Sequence, residues 1–243
     1  MKSIITTTIV LFLVYLVSAQ NPRQNPALGG NAKIGNIDEG ANKSTLVTSI
    51  GRSNYEGDQS IYKEIQGSPF LSDEPIYSTL VQNDGGQLDN IPLRIDLYTN
   101  TLIATDEWGD EMVLNELVYK EIRLPFEGQE TVFKRLHNKY PAKFYQVLHE
   151  EDGLVFFKER KVSLREAYDD GIKKVEPKFL HRIKYYIRNA EGKVSKVKLK
   201  KKSIFSNIPQ DRLDAMITKT GVKEKKLKLK SEADFVAFFN GNY

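Results

Sequence analysis

The chain has 243 residues, with 36 Lys and Arg against 32 Asp and Glu, and it contains no cysteine. The missing thiols exclude disulfides, a lipid attached through cysteine, thiolate zinc sites and cysteine nucleophiles. The roughly 180 residues that follow a polar leader suffice to bury one ordinary core without such staples.

Lys2 opens the chain, residues 4–17 form an apolar run, and Val17-Ser18-Ala19 offers small residues at the positions a signal peptidase accepts. This is the pattern of a secretory signal peptide cleaved between Ala19 and Gln20. The run of about 14 residues is shorter than the roughly 20 needed to cross a bilayer as a helix. The expected location is therefore periplasmic or secreted, with no transmembrane segment left after cleavage. Removing Lys2 brings the mature chain to 35 basic against 32 acidic residues.

Residues 20–66 are dominated by Asn, Gly, Ser and Gln, and are expected to be a flexible leader, because such a segment buries too little apolar surface to offset its ordering entropy. From Phe70 the pattern changes to short β-prone runs separated by turn residues. The first spans 76–82 and ends in Asn83-Asp84-Gly85-Gly86. In the second, 91–98, Ile91, Leu93, Ile95 and Leu97 alternate with Pro92, Arg94, Asp96 and Tyr98, as in a strand buried on one side. Pro92 places part of that strand at its start or at an edge. Further strands are expected at 101–106, 111–114, 118–124, 131–136, 142–149 and 154–159, with Asp152-Gly153 as a two-residue hairpin turn. A polar insertion at 169–177 precedes a last hairpin, 182–188 with 193–200, around Glu191-Gly192.

The period then becomes helical. Leu213, Met216, Ile217 and Thr220 share one helix face, between Pro209 and a stop at Gly221. Ser231-Glu232-Ala233-Asp234 is a capping-box pattern opening a second short helix that carries Phe235, Val236, Phe238 and Phe239. The expected fold is mainly β within an α+β class: an antiparallel meander or partly closed barrel, followed by two short helices. Residues 67–243 are expected to form it as a single domain.

Gly67-Ser68-Pro69-Phe70-Leu71-Ser72-Asp73-Glu74, followed by Ile91-Pro92-Leu93-Arg94-Ile95-Asp96-Leu97-Tyr98, resembles a family of uncharacterised exported bacterial proteins of the Bacteroidota type. There a GSPYL-DE opening precedes a strand of the form V-LRYN-Y. Phe144-Tyr145-Gln146-Val147-Leu148 and the lysine-rich hairpin into Lys201-Lys202-Ser203 are similar as well, so the likeness covers residues 67–243. Phe70 stands where that family has Tyr, and Asp96 where it has Asn. The resemblance implies an exported protein of a Gram-negative bacterium and no particular activity.

No residues form a catalytic, cofactor-binding or metal-binding motif. His137, His149 and His181 lack the i, i+4 pairing of a helical metal site. His149-Glu150-Glu151-Asp152 reads as a strand end running into a turn. Asp106-Glu107-Trp108-Gly109-Asp110-Glu111 lacks the spacing of a calcium loop and reads as a solvated hairpin tip, with Trp108 as a possible loop contact for sugar or protein.

Charge is concentrated near the C-terminus, where residues 193–230 hold 13 Lys and Arg against Asp211, Asp214 and Glu224. Lys196, Lys198 and Lys200 alternate with apolar residues, as do Lys226, Lys228 and Lys230, so both runs are expected to be strands with their lysines on one solvent-facing side. Such lysines protect strand edges, dock on the acidic remainder of another copy, or bind an anionic envelope polymer or lipid surface. Tyr185 and Tyr186 are too sparse an aromatic interleaving for a nucleic-acid platform. The expected function is a non-enzymatic binding or structural module of the cell envelope. The alternatives are an envelope-polymer hydrolase with dispersed carboxylates, which requires facing acids in a deep pocket, and a β-barrel carrier with an apolar cavity.

Overall fold

The computed structural model describes Tyr62 and residues 64–106, 108–136 and 143–243. The signal segment, most of the leader, Glu107 and His137 lie outside the described residues. Ten strands form one antiparallel sheet: β1 (Ile76–Gln82), β2 (Gln87–Asp96), β3 (Thr101–Thr105), β4 (Glu111–Leu114), β5 (Tyr119–Phe126), β6 (Gln129–Arg135), β7 (Phe144–Glu151), β8 (Leu154–Arg165), β11 (Lys178–Arg188) and β12 (Val194–Val197). Their spatial order is β12-β11-β8-β7-β6-β5-β1-β2-β3-β4. The sheet is open, since β4 and β12 are its two edges. The polar insertion contains a small hairpin of its own, β9 (Tyr168–Asp169) with β10 (Lys174–Val175), and the flanking strands β8 and β11 run longer than their apolar patterns indicated.

Three helices follow where two are expected: α1 (Lys201–Phe205), α2 (Gln210–Thr220) and α3 (Glu232–Phe239). The five-residue α1 is too short to show a helical period in sequence, and Ile204 and Phe205 bury it. Gly221 ends α2 in a left-handed conformation (φ 65°). The capping box of α3 is complete: Ser231 Oγ accepts from the Asp234 amide, and Asp234 accepts from the Ser231 amide.

Cross-strand partners share a face, so one row can be followed across the sheet: Leu88, Leu80, Ile122, Phe133, Gln146, Lys158, Tyr185, Val197. At one end the row belongs to a core of Leu80, Ile91, Leu93, Leu102, Leu114, Ile122 and Phe133. At the other end Leu154, Phe156, Ile187 and Val197 pack beneath the helices, against Leu213, Met216, Phe235, Phe238 and Phe239. Gln146 and Lys158 lie between these two apolar halves.

The Gly67–Glu74 segment acts as a strap. Leu71 N donates to Ile95 O and Leu97 N to Pro69 O, both at 2.9 Å, while Gln66 O accepts from Phe179 N at 2.9 Å. His181 Nε2 bonds Ser68 O at 2.8 Å, and the Arg94 guanidinium lies 4.4 Å over the Phe70 ring. The end of β2 is thereby tied to β11, and Val162 N of β8 donates to Leu97 O. This partly closes the open sheet. Asp96 is wholly buried, accepting from the Tyr98 and Thr99 amides and from the Tyr62 hydroxyl, so the packed domain begins before Gly67. Pro92 pairs with Tyr77 one residue beyond the last β2 residue that pairs with β3, where the strand has only one neighbour.

Tyr119 is fully buried and its hydroxyl makes no hydrogen bond among the described residues; burial pushes the phenol up to about 12. A phenol whose folded value is raised contributes stability below its ordinary value near 10 and loses it as pH climbs toward 12. We expect Tyr119→Phe to raise stability by about 1 kcal/mol, because it removes an unpaired buried hydroxyl. Urea denaturation measured from neutral pH to pH 12 should show the variant declining less at the alkaline end. A destabilised variant would contradict the assignment.

Candidate functional site

The two lysine runs do not build one face. Lys196 lies on β12, an edge strand, and Val197 beside it points into the core under the helices. The pleat therefore directs Lys196 to the sheet face opposite the helices. Lys198 and Lys200 follow in a turn, where Lys200 N donates to Lys198 O. The second run is no strand: Lys226 closes a 3-10 turn (Glu224–Lys226), and residues 227–230 are extended without a ladder. Leu227 and Leu229 enter the core under the helices, so Lys228 and Lys230 leave it on another side. Alternation survived because Leu227 and Leu229 need burial, and that requirement holds without a pairing strand.

Edge protection accounts for Lys196. It does not account for Lys226, Lys228 and Lys230, which have no strand edge to guard. Lys193, Lys196, Lys198, Lys200, Lys202, Lys223, Lys225, Lys226, Lys228 and Lys230 are all exposed, and none forms an ion pair among the described residues. Several cations elsewhere on the sheet are paired. There Lys134 bridges Glu121 and Glu150, Glu159 receives Lys143 and Lys184, and Arg160 pairs with Glu127. Tyr185 and Tyr186 are committed inward, with hydroxyls on Glu232 and Glu159 and rings stacked on Phe156 and Phe157. Neither is available as a stacking platform.

Trp108 stands 62% exposed at its loop tip. The loop is held by Asp106, which is buried and whose Oδ1 accepts from the Trp108 and Asp110 amides. No group of three or more His, Asp or Glu that could hold a metal occurs among the described residues. His149 is buried at the end of β7, stacked on Phe239 and bonded through Nδ1 to Asn240 Oδ1 at 2.8 Å, and the turn at Asp152-Gly153 has both residues at positive φ. The acidic run 149–152 is thus a strand end and hairpin.

The sequence reading missed a polar seam between the two apolar halves. Lys158, with a 3% exposed side chain, places its ammonium 2.6 Å from Glu232 Oε1, and the Tyr185 hydroxyl donates to Glu232 Oε2 at 2.8 Å. Burial, followed by the Glu232 carboxylate, holds the Tyr185 phenol well above its ordinary range. Arg160 donates through Nε to Gln146 Oε1 at 2.8 Å and grips Glu127 with two bonds of 2.9 and 3.0 Å. Over this seam, where α3 ends its cover of the sheet, a cleft of about 410 Å³ opens between β6, β7 and α3. Its carboxylates are Glu130 and Glu232, and both oxygens of Glu232 are already engaged.

Fold and site define an open antiparallel β-sheet domain with a helical layer over half of one face and a basic C-terminal region in which ten lysines form no ion pair among the described residues. Comparison with protein-family models, curated proteins and solved structures gives no match to this chain.

Proposed function

We propose that this chain is an exported, non-enzymatic binding module of the cell envelope, which holds an anionic polymer or lipid surface through the lysines of its C-terminal third. The observation that carries this reading is the set of ten exposed lysines of residues 193–230 that form no ion pair among the described residues, whereas Lys134, Lys143, Lys184 and Arg160 on the sheet pair with carboxylates. Lysines outside an ion pair keep most of their field for a partner, and association through them is screened by salt. The signal-like N-terminus supports export, and no helix among the described residues is long and apolar enough to cross a membrane.

Converting Lys226, Lys228 and Lys230 together to Gln should abolish salt-sensitive retention on heparin or on anionic vesicles. The parallel change at Lys196, Lys198 and Lys200 should weaken it as well. Stability should stay within about 0.5 kcal/mol of the parent per substitution, since all six side chains are exposed. Unchanged elution of both triple variants over a salt gradient would overturn the reading.

A further inference from the structure

We infer that the face of the β8–β11 ribbon turned away from the helices is a docking track for a linear anionic polysaccharide, a proposal that rests on the anion-binding reading above and narrows its partner to a polymer chain. The register of the two strands carries the argument. Lys161 stands directly opposite Arg182, and Arg165 directly opposite Lys178. Like charges directly opposite on a sheet are destabilising, because the paired side chains are close neighbours. All four residues are exposed, and none forms an ion pair among the described residues. Arg165 donates to the Glu176 carbonyl at 3.3 Å, which leaves its charge uncompensated. On the same face Glu159 stands opposite Lys184, and it is taken by Lys184 and Lys143. Two cationic rungs are thus held in succession, with Ser163 and Leu180 between them.

Alternation places Lys178, Arg182 and Tyr186 on one side of β11, and Lys196 of β12 is the partner of Tyr186. Positive charge therefore recurs at every fourth residue, at intervals of about 13 Å. Such a row fits an extended chain that bears charges at intervals, since a compact anion reaches one station only. Arg165 and Arg182 present planar forks that grip oxyanions through two bonds. A polynucleotide fits less well. Tyr186, the aromatic side chain of this row, is stacked on Phe157 and bonded to Glu159, so it offers bases no platform. A lipid surface also fits less well. Residues 166–177, which join the two strands beyond the Arg165–Lys178 rung, hold Glu166, Asp169, Asp170 and Glu176 against Lys173 and Lys174. A wide anionic plane meets that net negative charge, whereas a single chain lies along the row alone.

The test is fluorescence anisotropy of a labelled heparin fragment titrated with the full chain. Lys161→Gln with Arg182→Gln, and Arg165→Gln with Lys178→Gln, should each weaken binding about tenfold, the worth of two ionic contacts at an exposed surface. Each should also flatten the dependence of affinity on salt. Binding of both double variants to phosphatidylglycerol vesicles should stay at the parent's level. Both should unfold at or above the parent's urea midpoint, since a repulsive pair is removed. Parental affinity for heparin in either double variant, an equal loss on vesicles, or a urea midpoint below the parent's would overturn the inference. So would tighter binding of single-stranded oligothymidylate than of heparin. Parental double variants beside lost retention in the Lys226, Lys228 and Lys230 variant would remove the track and leave those lysines as the site. Weakened double variants beside a parental triple variant would remove the lysines and leave the track.

Discussion

Replacing Glu232 by Ala is expected to destabilise the protein by about 3–5 kcal/mol, measured by urea denaturation. The size of the effect comes from what is left behind. Lys158 sits with a 3% exposed side chain on the seam between two apolar cores, and among the described residues Glu232 is its only ion-pair partner. Without that carboxylate the ammonium is desolvated and uncompensated, and the Tyr185 hydroxyl also loses its acceptor. Replacing both partners of the pair, Lys158→Met with Glu232→Leu, should recover most of the loss, because a buried pair and an apolar isostere are close in energy. The two outcomes together separate a desolvated charge from mere loosening of α3. In Glu232→Ala the Tyr185 phenol should also titrate nearer its ordinary range, since one of the causes that raise it is removed. A single variant within about 1 kcal/mol of the parent would mean that water reaches Lys158 freely.

Phe156→Ala should cost about 3–5 kcal/mol for a different reason. Its ring is completely buried and stacks on Phe239 of α3 at 5.0 Å and on Tyr185 of β11 at 6.1 Å. It is one of the contacts through which β8 holds the helical layer, beside the Lys158–Glu232 pair, and truncation leaves a cavity bounded by rings that cannot collapse into it. Phe239→Ala should be non-additive with it in a double-mutant cycle, because both remove the same stacked contact. Phe133→Ala, in the other core, should combine additively with Phe156→Ala. Additivity between Phe156 and Phe239 would show that the stack carries no coupling.

Most of the strand framework was legible because side-chain alternation is a local property. Ile76–Gln82 and Glu111–Leu114 occupy the residues their β-prone runs marked, and Asp152-Gly153 turns where its residue types allow positive φ. The capping box at Ser231 was equally local. Strand ends were less legible. The second half of β8 and the first half of β11 are rich in charged residues, and they remain extended because they pair with each other from Lys158 with Tyr185 to Arg165 with Lys178, a stabilisation absent from either segment alone. The lysine run at 226–230 shows the opposite error, in which a two-residue period arises from burial of Leu227 and Leu229 without a partner strand.

The seam could not have been found in sequence at all. Gln146, Lys158 and Glu232 each look like an ordinary polar residue of a strand or a helix first turn, and Glu232 is 74 positions from Lys158. Only the register of β7 on β8 and of β8 on β11 puts Gln146, Lys158 and Tyr185 in one row, and only the docking of α3 brings Glu232 over it. By itself, then, the sequence determined a cysteine-free, β-rich meander closed by capped helices and a basic C-terminal third, since alternation, turn chemistry and composition act over a few neighbouring residues. Which lysines share a side, how the Gly67–Glu74 strap ties β2 to β11, and where polar groups are buried between two cores were decided by tertiary structure. Burial and pairing depend on residues distant in the chain, and no local period records them.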